Sequence, residues 1–98
     1  MSVQALYQQK RMSAADAIRV VKNGDTIVVP TAVGEPPSLL TALSEARRDF
    51  RDVQICQILA VRKYAYLDPE TVDNVRHTAY FYSGATRQGG KDGWVDFY

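Results

Sequence analysis

The sequence predicts an α/β chain: a mostly parallel sheet with flanking helices. Three observations carry that reading. The β-branched run Thr26-Ile27-Val28-Val29 follows a capped helix, and a second strand-like run extends from Val53 to Leu59. The connection between them is helical and long enough for the crossover that a parallel pair needs. Ninety-eight residues hold one small domain or part of a larger one.

Taken in order, the opening residues fit a short helix with Val3, Leu6 and Tyr7 on one face. Ser13 and Asp16 form a capping-box pair, because the serine oxygen accepts a backbone N–H three residues on while the carboxylate reaches back. Ala14, Ala17, Ile18 and Val21 recur at helical spacing, and Gly24 suits a left-handed helix end. The pattern predicts a helix over 13–23. The run 26–29 reads as a strand buried on both faces, with Pro30 at its end, where a missing N–H does least harm. After the loop Thr31 to Glu35, Pro36-Pro37 opens a second helix. Leu39, Leu40, Leu43 and Ala46 give its apolar face, and Arg47 and Arg48 suit its negative end.

Val53 to Leu59 reads as the second strand and Asp68-Pro69-Glu70 as a turn or single helical turn. Val75 to Tyr82 reads as the third strand. Ser83 to Asp92 fits a helix weakened by Gly84, Gly89 and Gly90, and Trp94 to Tyr98 reads as a fourth strand. An apolar, aromatic last strand calls for a further helix to cover the sheet. The chain is therefore expected to be a piece of a longer protein. Left bare, Trp94, Val95, Phe97 and Tyr98 are expected to associate with a neighbour.

Composition excludes several classes. Hydrophobic residues at 46% are too many for a disordered chain. Lys+Arg 12 against Asp+Glu 11 leaves +1, without the basic patch of a nucleic-acid binder. The single cysteine, Cys56, forms no internal disulfide, and the single histidine, His77, makes no multi-histidine metal site. Residues 1–10 are too polar for a signal peptide, and runs such as Ile58 to Val61 are too short to span a membrane. The expectation is a cytoplasmic chain with neither nucleic-acid nor membrane partners.

The most informative segment is Val29 to Pro37. It places a loop at the carboxyl end of a parallel strand and before a helix N-terminus, where open α/β sheets bind ligands and where free N–H groups favour an anion. A plain strand–helix connection accounts for the same residues. No G-K-[ST] follows, so it is no P-loop, and Gly34 alone is no dinucleotide fingerprint. Ser83 to Arg87 forms a second such junction. Two loops side by side would line one cleft, with Ser83, Thr86 and Arg87 meeting a carboxylate. Equally, Ser83 is a helix N-cap and Arg87 a surface charge. His77 lacks an identifiable catalytic partner and reads as a structural, hydrogen-bonded histidine. Cys56 reads as a small buried hydrophobe whose thiol burial would make harder to ionise.

Taken together, several segments resemble one family. They are Ser13 to Ala17, Asn23 to Val29, Gly34 to Leu43, Asp52 to Ile55, Tyr66 to Glu70, Val75 to His77, and Ala85 to Arg87. In that order and spacing the chain resembles the start of the acetyl-CoA hydrolase/transferase family, which includes 4-hydroxybutyrate CoA-transferase and butyryl-CoA:acetate CoA-transferase. The resemblance implies that residues 1–98 are the N-terminal part of a first domain of CoA-transferase-like fold. It implies transfer of CoA between an acyl-CoA and a carboxylate through a glutamyl-CoA thioester, with a carboxylate as nucleophile. That nucleophile lies in the family's second domain, so Glu35 is not it, and the chain alone is expected to be inactive. Thr31, Gly34 and Glu35, with Ser83, Thr86 and Arg87, would lie near the carboxylate and acyl part of the site. No bound cofactor is implied; the coenzyme A thioester is substrate, and a homo-oligomer is expected. The sequence departs from the family at Gln88 to Gly93, a poorer helix, and at Ala60 to Lys63, which replaces a glycine-containing turn. The competing reading is a stand-alone, non-catalytic α/β binding or interaction module.

Overall fold

The computed structural model describes residues 2–98. It confirms the α/β class. Four strands, β1 (Thr26–Val28), β2 (Val53–Gln57), β3 (Val75–Ala79) and β4 (Val95–Phe97), form one fully parallel sheet in the order β1-β2-β3-β4. The helices are α1 (Val3–Lys10), α2 (Ala14–Ala17), α3 (Pro37–Glu45) and α4 (Arg87–Asp92).

Local chemistry sets most boundaries. Ser2 Oγ accepts the Ala5 N–H and starts α1, and Ser13 Oγ accepts the Asp16 N–H and starts α2. The helix expected over 13–23 is shorter. Its α-helical part ends at Ala17, a single 3₁₀ turn covers Ile18–Val20, and Val21 is extended. β-branched Ile18, Val20 and Val21 lose side-chain freedom in a helix, which favours the tightened, then extended chain. Gly24 has φ +85°, so the reversal into β1 falls on a residue without a Cβ. Pro36 caps α3 and Pro37 is its first residue. Asp68 Oδ1 accepts the Glu70 N–H over the single 3₁₀ turn Pro69–Thr71.

The strands differ from expectation in one informative way. β1 is an edge strand, not one buried on both faces: Thr26 and Val28 are exposed, and the buried side chain is Val29, just past its end. β2 ends at Gln57, β3 at Ala79, and β4 spans three residues. Pairing nonetheless continues beyond them, with Ala32 donating to the Leu59 carbonyl and Phe81 to the Ile58 carbonyl.

Each strand pairs with the next in sequence, so the chain always steps the same way across the sheet. The right-handed rule then puts every crossover on one face. Burial follows. Val53, Ile55, Gln57, Val75, His77, Ala79 and Val95 are buried, while Gln54, Cys56, Arg76, Thr78 and Asp96 on the other face are partly exposed. Cys56 is therefore half-buried on the open face, not the buried hydrophobe expected. Arg76 and Asp96 form a two-pronged ion pair there, at 2.6 and 2.8 Å.

The core packs Leu40 and Leu43 of α3 and Ile18 against Val29, Phe50, Val53, Ile55, Tyr66 and Val75. Arg47 ends this helix as expected: its guanidinium donates to the Ser44 carbonyl at 2.7 Å and lies 3.6 Å from Asp68. The helix expected over 83–92 begins only at Arg87. Its glycines are packing residues. A methyl on Gly89 would overlap Val95 Cγ2 and lie 2.9 Å from the Trp94 ring, and one on Gly90 would overlap the Tyr82 ring. The last strand is partly covered by the chain itself. Val95 is buried, Tyr98 stacks on Tyr80 at 4.9 Å, and Phe97 meets Tyr82 at 5.1 Å.

Candidate functional site

The carboxyl edge of the sheet carries a polar cluster built on the loop after β1. Thr31 is fixed to the extension of β2, because its Oγ1 accepts the Leu59 N–H at 3.0 Å and donates to the Leu59 carbonyl at 3.2 Å. The next residue, Ala32, takes a left-handed φ of +51°, a conformation that costs a non-glycine residue about 1–2 kcal/mol. A 3₁₀ turn over Ala32–Gly34 then delivers Glu35 inward, immediately before α3. Gly34 itself is exposed in that turn, with the Pro30 Cβ 3.2 Å from where a Cβ would stand.

Glu35 is buried, and its Oε2 accepts two hydrogen bonds: 2.6 Å from Gln57 Nε2 and 2.9 Å from the Val61 N–H. Gln57 Nε2 also donates to the Pro30 carbonyl at 3.0 Å. Both partners of that nitrogen are acceptors, which fixes the orientation of the amide. The loop, β2 and the segment after β2 are thus tied together through one carboxylate. A cleft of about 260 Å³ opens beside it, lined by Ala32, Val33, Glu35, Pro37, Val61, Arg62 and Tyr64.

Behind the carboxylate runs a row of rings. Tyr64 stacks on Tyr66 at 6.0 Å, and Tyr66 stacks on His77 at 5.8 Å. The Tyr66 hydroxyl lies 3.3 Å from His77 Nδ1. Burial, with the Glu35 charge second and Tyr64 third, pushes the Tyr66 phenol well above its usual range. Burial also pulls His77 from 6.5 to about 4, a shift that Glu35 opposes without reversing. His77 is a neutral, structural imidazole at neutral pH, as the sequence suggested. Gln57 Oε1, Tyr64 Oη and His77 Nε2 have no hydrogen-bond partner among the described residues.

The second junction is built differently. Thr86 is fully buried, and its Oγ1 accepts the Ser83 N–H at 2.9 Å; Ser83 Oγ accepts the Ala85 N–H at 3.2 Å. These hydroxyls brace their own turn. The N-cap of α4 is Thr86 rather than Ser83, and Arg87 is exposed. The cleft beside Glu35 is lined by none of Ser83, Thr86 and Arg87. The structure therefore gathers Thr31, Gly34 and Glu35 at one junction and Ser83, Thr86 and Arg87 at another, with β2 between the strands that lead to them. A separate cleft of about 330 Å³ runs across the carboxyl edge from Thr31 past Gln57 and Ile58 to Tyr80, towards the second junction.

The residues that sequence reasoning missed are Gln57, Val61, Tyr64 and Tyr66. One signal was available. Val53, Ile55 and Gln57 share the inward face of β2, so Gln57 is a polar residue at a core position and needs a buried partner.

The chain is similar to known proteins over its whole length. It is 33% identical over 91 residues to the succinyl-CoA:cyclohexane-1-carboxylate CoA transferase of Geobacter metallireducens, covering 93% of the chain and 21% of that protein. It is 29% identical over 97 residues to the 4-hydroxybutyrate coenzyme A transferase of Clostridium kluyveri, covering 99% of the chain and 23% of that protein. RipA from Yersinia pestis superposes on all of the chain with a TM-score of 0.83 and 24% identity, over 25% of its own length, and its E249A mutant does so at 0.84. The chain thus spans about a fifth of the length of these curated relatives and a quarter of the solved chains. No described helix is long and apolar enough to cross a membrane. The family model for the acetyl-CoA hydrolase/transferase N-terminal domain matches residues 1–98, and the chain belongs to that family.

Proposed function

We propose that this chain supplies part of the acyl and carboxylate end of a CoA-transferase site. There CoA would pass between an acyl-CoA and a free carboxylate of the acetate, butyrate or 4-hydroxybutyrate type, through a glutamyl-CoA thioester. The observation that supports this most is the construction around Glu35. A loop at the carboxyl edge of a parallel sheet, held by a buried carboxylate, borders a cleft of about 260 Å³. That volume is just below the usual range for whole small-molecule sites and suits a short acyl group rather than a complete coenzyme.

Glu35 is the scaffold of the cleft and not its nucleophile. Its Oε2 is committed to Gln57 and Val61, and attack from it would break both bonds. The nucleophilic glutamate of this reading lies outside residues 1–98, as do the groups that would bind the rest of coenzyme A. Thr31 and Gly34 shape the loop. Ser83, Thr86 and Arg87 belong to this reading only if Arg87, the exposed member, meets the carboxylate from its own junction.

The test is an acyl-exchange assay with butyryl-CoA and isotopically labelled acetate. It is run on a protein carrying this segment within a chain of the relatives' length, and on the 98-residue chain alone. The expected result is exchange by the long protein, a hydroxylamine-sensitive thioester on a glutamate outside this segment, and none by the short chain. A thioester trapped on Glu35, or turnover by the short chain abolished by Glu35→Ala, refutes the assignment.

A further inference from the structure

Two polar groups on the wall of the Glu35 cleft have no partner within the protein. Glu35 Oε2 accepts both hydrogen bonds that this carboxylate receives, and Oε1 accepts none among the described residues. Solvent reaches Oε1, unlike the sealed, unpartnered atoms Gln57 Oε1, Tyr64 Oη and His77 Nε2. Glu35 is in no ion pair among the described residues. Tyr64 is 9% exposed and lines the same cleft, and its Oη has no hydrogen-bond partner. A buried phenol ordinarily finds one. Gln57 and His77 do not line this cleft, so their orphan atoms take no part in it. Val33, Pro37 and Val61 make the rest of the wall apolar, and the exposed Arg62 is its cation.

We propose that this cleft selects a hydroxyl on the acyl chain of its substrate, which donates to Glu35 Oε1 and accepts from Tyr64 Oη. The inference rests on the CoA-transferase reading above and narrows its substrates to short hydroxyacyl groups. The Tyr64 ring tilts towards the cleft it lines to present Oη, and the apolar wall takes the methylenes. Hydrogen-bond inventory decides among the candidate groups. The ionised Glu35 oxygen only accepts, and the phenol has a proton to give. A hydroxyl both donates and accepts, so it satisfies the two at once. A second carboxylate accepts from Tyr64 but sets a like charge against Glu35, and Arg62 is too exposed to compensate strongly. An ammonium leaves the phenol proton unpaired and adds a cation to a cleft that already holds Arg62. A plain alkyl chain excludes water from both polar atoms and pairs neither. Glu35 thus has two oxygens with two tasks: Oε2 holds the junction, and Oε1 reads the substrate.

The test is CoA exchange by a protein carrying this segment within a chain of the relatives' length. Butyryl-CoA is the donor, and 3-hydroxybutyrate, 4-hydroxybutyrate, labelled butyrate, 4-aminobutyrate and succinate are compared as acceptors. One of the two hydroxy acids is expected to exceed butyrate at least about 10-fold in kcat/KM. Tyr64→Phe removes one oxygen from a ring that still stacks on Tyr66, and it should lower that ratio at least about fivefold. Glu35→Gln keeps both Oε2 bonds but replaces Oε1 by a donor and removes the charge. It should raise the succinate-to-butyrate ratio at least about 10-fold, which a merely structural role for Glu35 would not do. The parent's own ratio decides the matter even if a variant fails to fold. A parent that turns over butyrate, 4-aminobutyrate or succinate as well as either hydroxy acid overturns the proposal. So does a Tyr64→Phe variant that keeps the parent's ratio, or a Glu35→Gln variant with no gain for succinate. Exchange absent with every acid refutes the CoA-transferase reading itself, whereas exchange without a hydroxyl preference refutes this inference alone.

Discussion

Replacing Glu35 separates its two oxygens. Both protein hydrogen bonds end on Oε2. In Glu35→Ala the Val61 N–H loses its acceptor, and Gln57 Nε2 keeps only the Pro30 carbonyl. Hydrogen bonds to a charged group contribute about 1.5–3 kcal/mol each, and a buried donor left unpaired costs about 1–3 kcal/mol. Removing a charge that folding had to desolvate offsets part of that. The expected loss is about 2–4 kcal/mol, a large fraction of the roughly 5–15 kcal/mol that holds a chain of this size. In Glu35→Gln the amide oxygen takes the place of Oε2 and keeps both bonds, while the NH₂ takes the place of Oε1. Only charge assistance is lost, about 1 kcal/mol. Urea unfolding followed by circular dichroism measures both variants. Equal losses in the two, or a loss under about 1 kcal/mol in Glu35→Ala, would refute the view that one oxygen carries the junction.

His77 gives a pH signature. Its folded pKa of about 4 lies below the ordinary 6.5, so the unfolded chain binds the proton first as pH falls. Its contribution is fully present above about pH 6.5 and is lost as pH falls towards 4, to a total of about 3 kcal/mol. Urea midpoints measured across that window should decline in the parent and lose this component in His77→Gln. Gly89→Ala gains about 1 kcal/mol of helix propensity but drives a methyl into Val95 and Trp94, for a net loss of about 1–2 kcal/mol. Gly84→Ala, with open space around it, is the control and should change the thermal midpoint little.

Much of the fold is local chemistry and could be read directly. Ser13, Pro36-Pro37 and Asp68-Pro69 each act within a few residues of themselves, and each stands where its chemistry predicts; Gly24 takes the expected positive φ, but in the turn into β1 rather than at a helix end. The family, too, was carried by short segments in a fixed order. Apart from the shortened helix after Ser13, the failures share a physical source, contacts beyond the element itself. An apolar run such as 26–29 is the same string whether a strand is central or at the edge, and only the partner on its far side decides. α4 has two consecutive glycines that argue against a helix, and the rings of Tyr82 and Trp94 that require them lie outside it. At the site, Glu35 and Gln57 are 22 residues apart, and no spacing rule joins them. Thr31 and Ser83 both sit after strands as expected. Their hydroxyls are used within the protein, which residue type alone does not reveal.

Strand order also bears on how the chain acquires its structure. Every strand pairs with its immediate successor, and no strand must wait for a distant part of the chain to arrive. Loop-closure cost is therefore met in three separate instalments of modest length, and topology of this kind favours rapid folding among parallel sheets. Stability should be graded along the same axis. The β2–β3 pair is the longest, five residues in register, and is flanked on both sides, whereas β1 and β4 each pair over three residues and have a free edge. Amide hydrogen exchange should accordingly be slowest at Ile55 and His77 and quicken outward. Opening would then begin at the outer strands, β1 and β4, leaving the central pair closed; at β1 it would carry with it the loop that holds Thr31, Ala32 and Glu35.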